Sequence, residues 1–199
     1  MSLVIALEGL DGSGKSTVWE RLEDDFTNDI TYTREPTHQW HGEVVRQSIN
    51  DDEADSLAEL FLYTADHAAH LSGTVEPAIE RGESVVTDRY IGSRLAYQGV
   101  TLADEFGGIE ETVEFVRKIH EPWTRYPDVT IYLDVAPETG AKRAGKTNKM
   151  EGEERLQQVQ TAYQYLQEHS DRYRIVDGEQ SPDAVYEDVI DILDEIEVI

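Results

Sequence analysis

A glycine-rich turn, set where an apolar run gives way to a helical pattern, constrains this chain more than any other feature. Leu3 to Leu7 is a continuous apolar stretch leading to Gly9, the mark of a strand buried on both faces. Gly9-Leu10-Asp11-Gly12-Ser13-Gly14-Lys15-Ser16 follows, and Val18, Leu22 and Phe26 then recur on one face of a helix. Such a turn points several backbone N–H groups inward, and the helix N-terminus adds partial positive charge, so a polyphosphate is held without side-chain bulk. Lys15 is placed to reach the β and γ phosphates and Ser16 to ligate Mg²⁺. At ordinary glycine usage a chance match in 199 residues is roughly a one per cent event. A second acid is expected at the end of another strand, near the metal, and Asp88 after Ser84 to Thr87 is the natural candidate.

Further strands are read at Ile30 to Thr33, Ser84 to Thr87, Val129 to Leu133 and Arg174 to Val176. Helices are read from Glu43 to Ile49, from Ser56 to Leu71, briefly after Pro77, on Leu156, Val159, Tyr163 and Leu166, and on Val185, Val189, Ile192 and Ile196. In the second of these, Leu57, Leu60, Phe61, Thr64 and Ala68 keep a helical period, and Ser56 with Glu59 reads as a capping box. Strands alternating with helices predict one α/β domain with a parallel sheet across residues 1–199.

The charge balance narrows the partners. The chain has 42 acids against 17 Lys plus Arg, a formal net charge of -25, and no cysteine. A surface this anionic repels nucleic acid, whose binding needs a cationic footprint. No apolar run of about 18 residues suggests a membrane span, so a cytoplasmic protein is expected. The 39% of hydrophobic residues in periodic segments argues against disorder and for a halophile-type surface, tolerable where concentrated salt screens repulsion. The few cations gather where phosphate is expected: Lys15, Arg34, Arg46, Arg89, Arg94, Lys142, Arg143, Lys146 and Lys149.

From Glu8 through Thr17, and in Arg34-Glu35-Pro36, Asp88-Arg89-Tyr90 with Ala96-Tyr97-Gln98-Gly99, and Pro127 to Asp134, the chain resembles thymidylate kinases, which pass the γ-phosphate of ATP to dTMP. The resemblance implies a three-layer P-loop kinase fold, a central parallel five-stranded sheet with helices on both faces, a short mobile lid at about residues 142–151, Mg²⁺ with ATP as donor, and a homodimer. It implies nucleotide binding by Gly9, Gly12, Ser13, Gly14, Lys15, Ser16 and Thr17, with Arg143 against adenine, and metal binding by Ser16 and Asp88. It places Asp11 near the acceptor's sugar and phosphate, and Arg89 and Arg46 on the acceptor phosphate. Tyr63 would stack on thymine, Gln98 face the base edge and Tyr97 lie under the sugar, with Glu35 and Pro36 in the same acceptor site.

The chain departs from the family pattern in several places. Gly12 stands where some members carry an Arg, so the lid must supply the transition-state cation, from Lys149 or Lys146. His67 replaces the usual thymine-binding Arg and, with one donor and one acceptor, is expected to face thymine O4 or another base in its place. Arg94 replaces a usual Ser, and Thr37-His38 replace Gly-Gly. Arg94 is therefore expected to supply the guanidinium missing at position 67. One methyl group, worth about 1 to 3 kcal/mol, is all that separates dTMP from dUMP. His38, His41, His70, His120 and His169 are expected to be surface or structural, because no spacing among them suggests a metal site. Three other readings stand beside this one: a deoxynucleoside kinase using Glu35 as base, a monophosphate kinase of different base specificity, and a nucleotide-dependent interaction module.

Overall fold

The structure is a computed structural model that describes residues 2–145 and 152–199. Strands β1 (Val4–Gly9), β2 (Ile30–Arg34), β3 (Ser84–Asp88), β4 (Val129–Asp134) and β5 (Tyr173–Asp177) pair in the order β2-β3-β1-β4-β5, every pair parallel. The apolar run read from the sequence is thus the central strand. Its side chains alternate between two cores: Val4 and Ala6 pack in one, Ile5 and Leu7 in the other, and all four are fully buried. Each large apolar side chain so buried contributes about 1.5 to 3 kcal/mol, which fixes the strand in the middle layer. The helices are α1 (Lys15–Asp25), α2 (Trp40–Ile49), α3 (Ser56–His70), α4 (Glu76–Glu80), α5 (Ile91–Thr101), α6 (Ala103–Phe106), α7 (Ile109–His120), α8 (Pro137–Ala144), α9 (Glu153–Glu168) and α10 (Pro182–Glu195). α5, α7 and α9 contribute to the first core, α1 and α10 to the second, so the sheet is covered on both faces. No helix among the described residues is long and apolar enough to cross a membrane.

Several features differ from the sequence reading, which has no helix at α5, α6, α7 or α8. α5 has no apolar stripe to betray it, because every residue from Ile91 to Val100 is buried. The inward face of α3 is largely polar: Glu59, Asp66, His67 and His70 are buried with Leu60 and Tyr63, whereas Phe61 is 55% exposed and Ala68 is exposed too. The cap of α3 is Asp55, whose carboxylate accepts from the Ala58 N–H at 2.8 Å, so Ser56 belongs to the first turn and the Ser56–Glu59 box does not form. Glu59 instead accepts from the Ser48 hydroxyl at 2.8 Å, tying α3 to α2.

Candidate active site

The glycine-rich loop leaves β1 at the C-terminal edge of the sheet, where open parallel sheets collect their ligands. Gly12 and Gly14 hold φ of 77° and 99°, a left-handed backbone that other residues adopt at a cost. Lys15 opens α1 and folds back over the loop, donating to the Leu10 carbonyl at 2.7 Å and the Ser13 hydroxyl at 3.1 Å. The Ser16 hydroxyl donates to Asp88 Oδ2 at 2.7 Å. An alcohol and a carboxylate oxygen side by side suit Mg²⁺, a hard cation that keeps several waters and needs few protein ligands.

Burial, reinforced by the neighbouring Arg89, pushes the Lys15 ammonium down to about 8 from 10.5, against the pull of Asp11, Asp88 and Glu8. Between those two values the unfolded chain binds more protons than the folded one, so on account of Lys15 stability rises with pH across that window. Polyphosphate affinity runs the other way. Above about pH 8 the Kd of an ATP analogue with Mg²⁺ should rise by up to about tenfold per pH unit, read by calorimetry. An affinity unchanged to about pH 9.5 would show that the Lys15 charge does not hold the phosphates.

A cleft of about 670 Å³ runs from Asp11 along the loop through Ser16 and Thr17, past Asp88 and Arg89, to Arg143, Gly178 and Pro182. A second cavity, about 170 Å³, is lined by Tyr63, Ser93, Arg94 and Tyr97. Asp11, Glu35, Pro36 and Arg89 line both. Arg89 adopts a positive φ of 67° and donates to the Gly9 carbonyl at 3.3 Å, the Ser93 hydroxyl at 2.9 Å, the Tyr97 hydroxyl at 3.3 Å and the Asp11 carboxylate. Tyr97 in turn donates to Asp11 Oδ2 at 2.9 Å. Burial alone would raise the Asp11 carboxyl, but Arg89 and then Lys15 outweigh it and hold it below its ordinary value. A guanidinium thus stands at the junction of a large cleft and a small cavity.

Glu35 lies in a cluster whose members stand 32 to 59 positions away along the chain. His67 Nδ1 and His70 Nδ1 both donate to Glu35 Oε1, at 2.6 and 2.7 Å, and Arg94 donates to Oε2 at 2.8 Å. Burial works against the charge, yet His67 and then Arg94 hold the Glu35 carboxyl well below the usual range. The next residues are held by the same helix, since Asp66 accepts from the Thr37 N–H at 2.9 Å and from its hydroxyl. The polar face of α3 therefore exists to clamp residues 35–37. Glu35, His67 and His70 have the composition of a metal site. Their 2.6 and 2.7 Å separations are instead hydrogen-bond lengths, shorter than the edge of about 3.3 Å between tetrahedral donors about 2.0 Å from zinc.

Residues 7–189 match the sequence profile of the thymidylate kinase family. The chain belongs to that family. It is 51% identical over 187 residues to a probable thymidylate kinase of Halobacterium salinarum, covering 94% of this chain and 92% of the relative. It is 42% identical over 206 residues to one of Methanosarcina acetivorans, covering 98% of each. A solved thymidylate kinase structure from Candida albicans superposes with a TM-score of 0.83 at 22% identity, over 99% of this chain and 93% of that one, which shows the shared fold.

Within the thymidylate kinase frame, Arg46 lines the large cleft and donates to the Pro36 and Thr37 carbonyls at 3.1 and 2.8 Å. Arg143 lies at the far end of that cleft and donates to the Gly178 carbonyl at 2.8 Å. Lys146 and Lys149 lie outside the described residues. Tyr63 reaches the small cavity, but the Arg94 guanidinium covers one face of its ring at 4.1 Å. His67 does not reach that cavity. It is fully buried beneath Glu35 with its ring against Tyr90 and Trp123, and its expected contact with the base gives way to a contact with a carboxylate. Gln98 is buried as well and does not itself line the cavity, although its neighbours Tyr97 and Arg94 on α5 do, and its Oε1 has no protein hydrogen-bond partner. Of the histidines expected to be surface or structural, His70 and His120 are the structural kind, both fully buried.

Glu8 is the functional neighbour that sequence reasoning passes over. Fully buried at the end of β1, it accepts from the N–H groups of Tyr90 and Ser93 at 3.0 and 2.9 Å, and from the hydroxyls of Ser93 and Tyr163 at 2.6 and 2.8 Å. Burial pushes its carboxyl up, the four donors notwithstanding. Through Ser93 it positions Arg89. The signal was available: an acid inside an otherwise apolar strand needs partners.

Proposed function

We propose that this chain transfers the γ-phosphate of ATP to dTMP, and by the same site to dUMP, giving the diphosphate. The observation that carries the reading is Arg89, pinned by Asp11, Ser93 and Gly9 where the cleft meets the cavity. A donor triphosphate in the cleft and an acceptor monophosphate in the cavity bring their reacting phosphates together at that guanidinium. The acceptor phosphate has its second pKa near about 6, so it is already an anionic nucleophile and no general base is required. Catalysis is then alignment and charge neutralisation. Lys15 and the loop N–H groups hold the donor, Arg89 and Arg46 the acceptor phosphate, and Lys146 and Lys149 are proposed to supply the lid cations. Ser16 and Asp88 would hold Mg²⁺, which would supply charge neutralisation at the donor phosphates.

The deoxynucleoside kinase alternative loses its base: Glu35, saturated by two imidazoles and a guanidinium, is not free to take a proton from a hydroxyl. A panel of dTMP, dUMP, dGMP, dCMP and thymidine with ATP and Mg²⁺ in high salt tests the reading. Turnover of thymidine but of no monophosphate would reverse it.

The acidic composition supports a cytoplasm rich in salt as the working environment, and we expect the melting temperature to climb steadily from low salt to about 3 M potassium chloride. A melting temperature indifferent to salt would remove that reading. A homodimer is also proposed, and the outward face of α3, with Ala58, Phe61, Ala65 and Ala68 exposed and uncharged, is compatible with one. Sedimentation in the same salts decides it.

A further inference from the structure

Arg94 is 3% exposed, and of its guanidinium nitrogens Nη2 bonds Glu35 while Nε has no protein partner. A buried cationic donor left unpaired is costly, and it persists where a ligand completes it. The residue lines the small cavity and lies flat against Tyr63 at 4.1 Å. A guanidinium has donors only, so it favours a base edge that presents a carbonyl and leaves an amino group facing another donor.

The direction in which Arg94 points is set by others. Glu35 Oε1 is occupied by both imidazoles, which leaves Oε2 for the guanidinium. The hydroxyl of Thr33 on β2 sits 2.8 Å from His70 Nε2, consistent with an imidazole that donates through Nδ1. The ring of His67 is confined by Tyr90, His120 and Trp123, at centroid distances of 4.8, 5.8 and 5.6 Å. The carboxylate therefore cannot rotate, and the arginine that pairs with it is fixed above Tyr63. We propose that Glu35, His67 and His70 are positioning residues that aim Arg94 as the base reader of the acceptor cavity, selecting pyrimidines with a carbonyl at position 4 over those with an amino group there. This rests on the acceptor reading above.

The test compares kcat/KM for dTMP and for dCMP, with the KM of ATP measured alongside, in high salt. The wild type should prefer dTMP. Arg94→Lys keeps a charge for Glu35 but loses the planar donors, and should cut the dTMP:dCMP ratio by about 10- to 100-fold. His67→Phe should cut it by about tenfold through the KM of dTMP, with the KM of ATP unchanged, because Arg94 remains but is no longer held. His67→Asn, which restores an N–H donor near Nδ1, should recover most of the loss.

A purely structural role would lower both substrates together and leave the ratio alone. A ratio within about twofold of wild type in folded Arg94→Lys overturns the proposal whether or not His67→Phe folds. A lowered ratio in Arg94→Lys with none in His67→Phe or His67→Asn overturns the positioning role alone. A wild type that turns over no monophosphate fails the acceptor reading instead, so the two failures are distinct.

Discussion

Replacing Arg89 by alanine should lower kcat/KM for ATP and dTMP by about three orders of magnitude, the scale on which a guanidinium stabilises a transferring phosphoryl group. The arginine is tied to the loop at Gly9 and Asp11 and to α5 at Ser93, so it is preorganised and needs no reorientation when charge develops. Its loss also frees the Asp11 carboxylate of the partner that most favours its charge, and so places an uncompensated negative charge beside two anionic phosphates. Lysine at the same position should recover little, because one ammonium cannot meet Gly9, Ser93 and Asp11 together while facing the phosphate. Single-turnover kinetics separates this from weakened ATP binding, which Lys15 and the loop should preserve. A loss under about tenfold would show that the acceptor phosphate lies elsewhere.

Gly12→Arg should destabilise the fold by about 2 to 5 kcal/mol rather than restore a loop arginine, combining a left-handed backbone with overpacking. Gly12 has φ 77°, and a Cβ built there would stand 2.3 Å from the Gly140 carbonyl oxygen and 2.8 Å from the Ala144 nitrogen. Both are backbone atoms of α8, which cannot step aside as a flexible side chain would. Gly140 answers with a site where a Cβ would fall 2.7 Å from the Asp11 carbonyl oxygen, so loop and helix meet backbone to backbone from both sides. Position 12 of the loop therefore has no room for a side chain that could supply a transition-state cation. Denaturant titration in high salt gives the stability. An unchanged midpoint together with faster turnover would mean that α8 yields at little cost.

What was legible in the sequence divides along local and non-local lines. The loop and β1 announce themselves because glycine placement and an unbroken apolar run are local signals with few alternative readings. β3 and its terminal Asp88 were legible for the same reason. α5 was not, since a helix buried on every side has no contrast between faces to detect. α3 misled in the opposite sense: its period was real, but the inward stripe is acids and imidazoles whose partners lie about thirty residues earlier in the chain. Its cap shows how narrow such a decision is, with Asp55 and Ser56 adjacent and both competent. Arg94 and His67 could each be seen as out of place. That they meet through one carboxylate could not, because Glu35 lies 59 positions from Arg94.

Glu8 carries a consequence for how this protein comes apart. One carboxylate joins the strand before the phosphate loop to the start of α5 and, through Tyr163, to α9. Opening any one of these elements takes at least one donor from a buried acid, a cost beyond that of the contact itself. Donor and acceptor halves of the site should then be lost in a single cooperative step. In hydrogen exchange the amides of Tyr90 and Ser93 should be as slow as those of β1, marking the junction of the two cavities as part of the most protected unit of the fold.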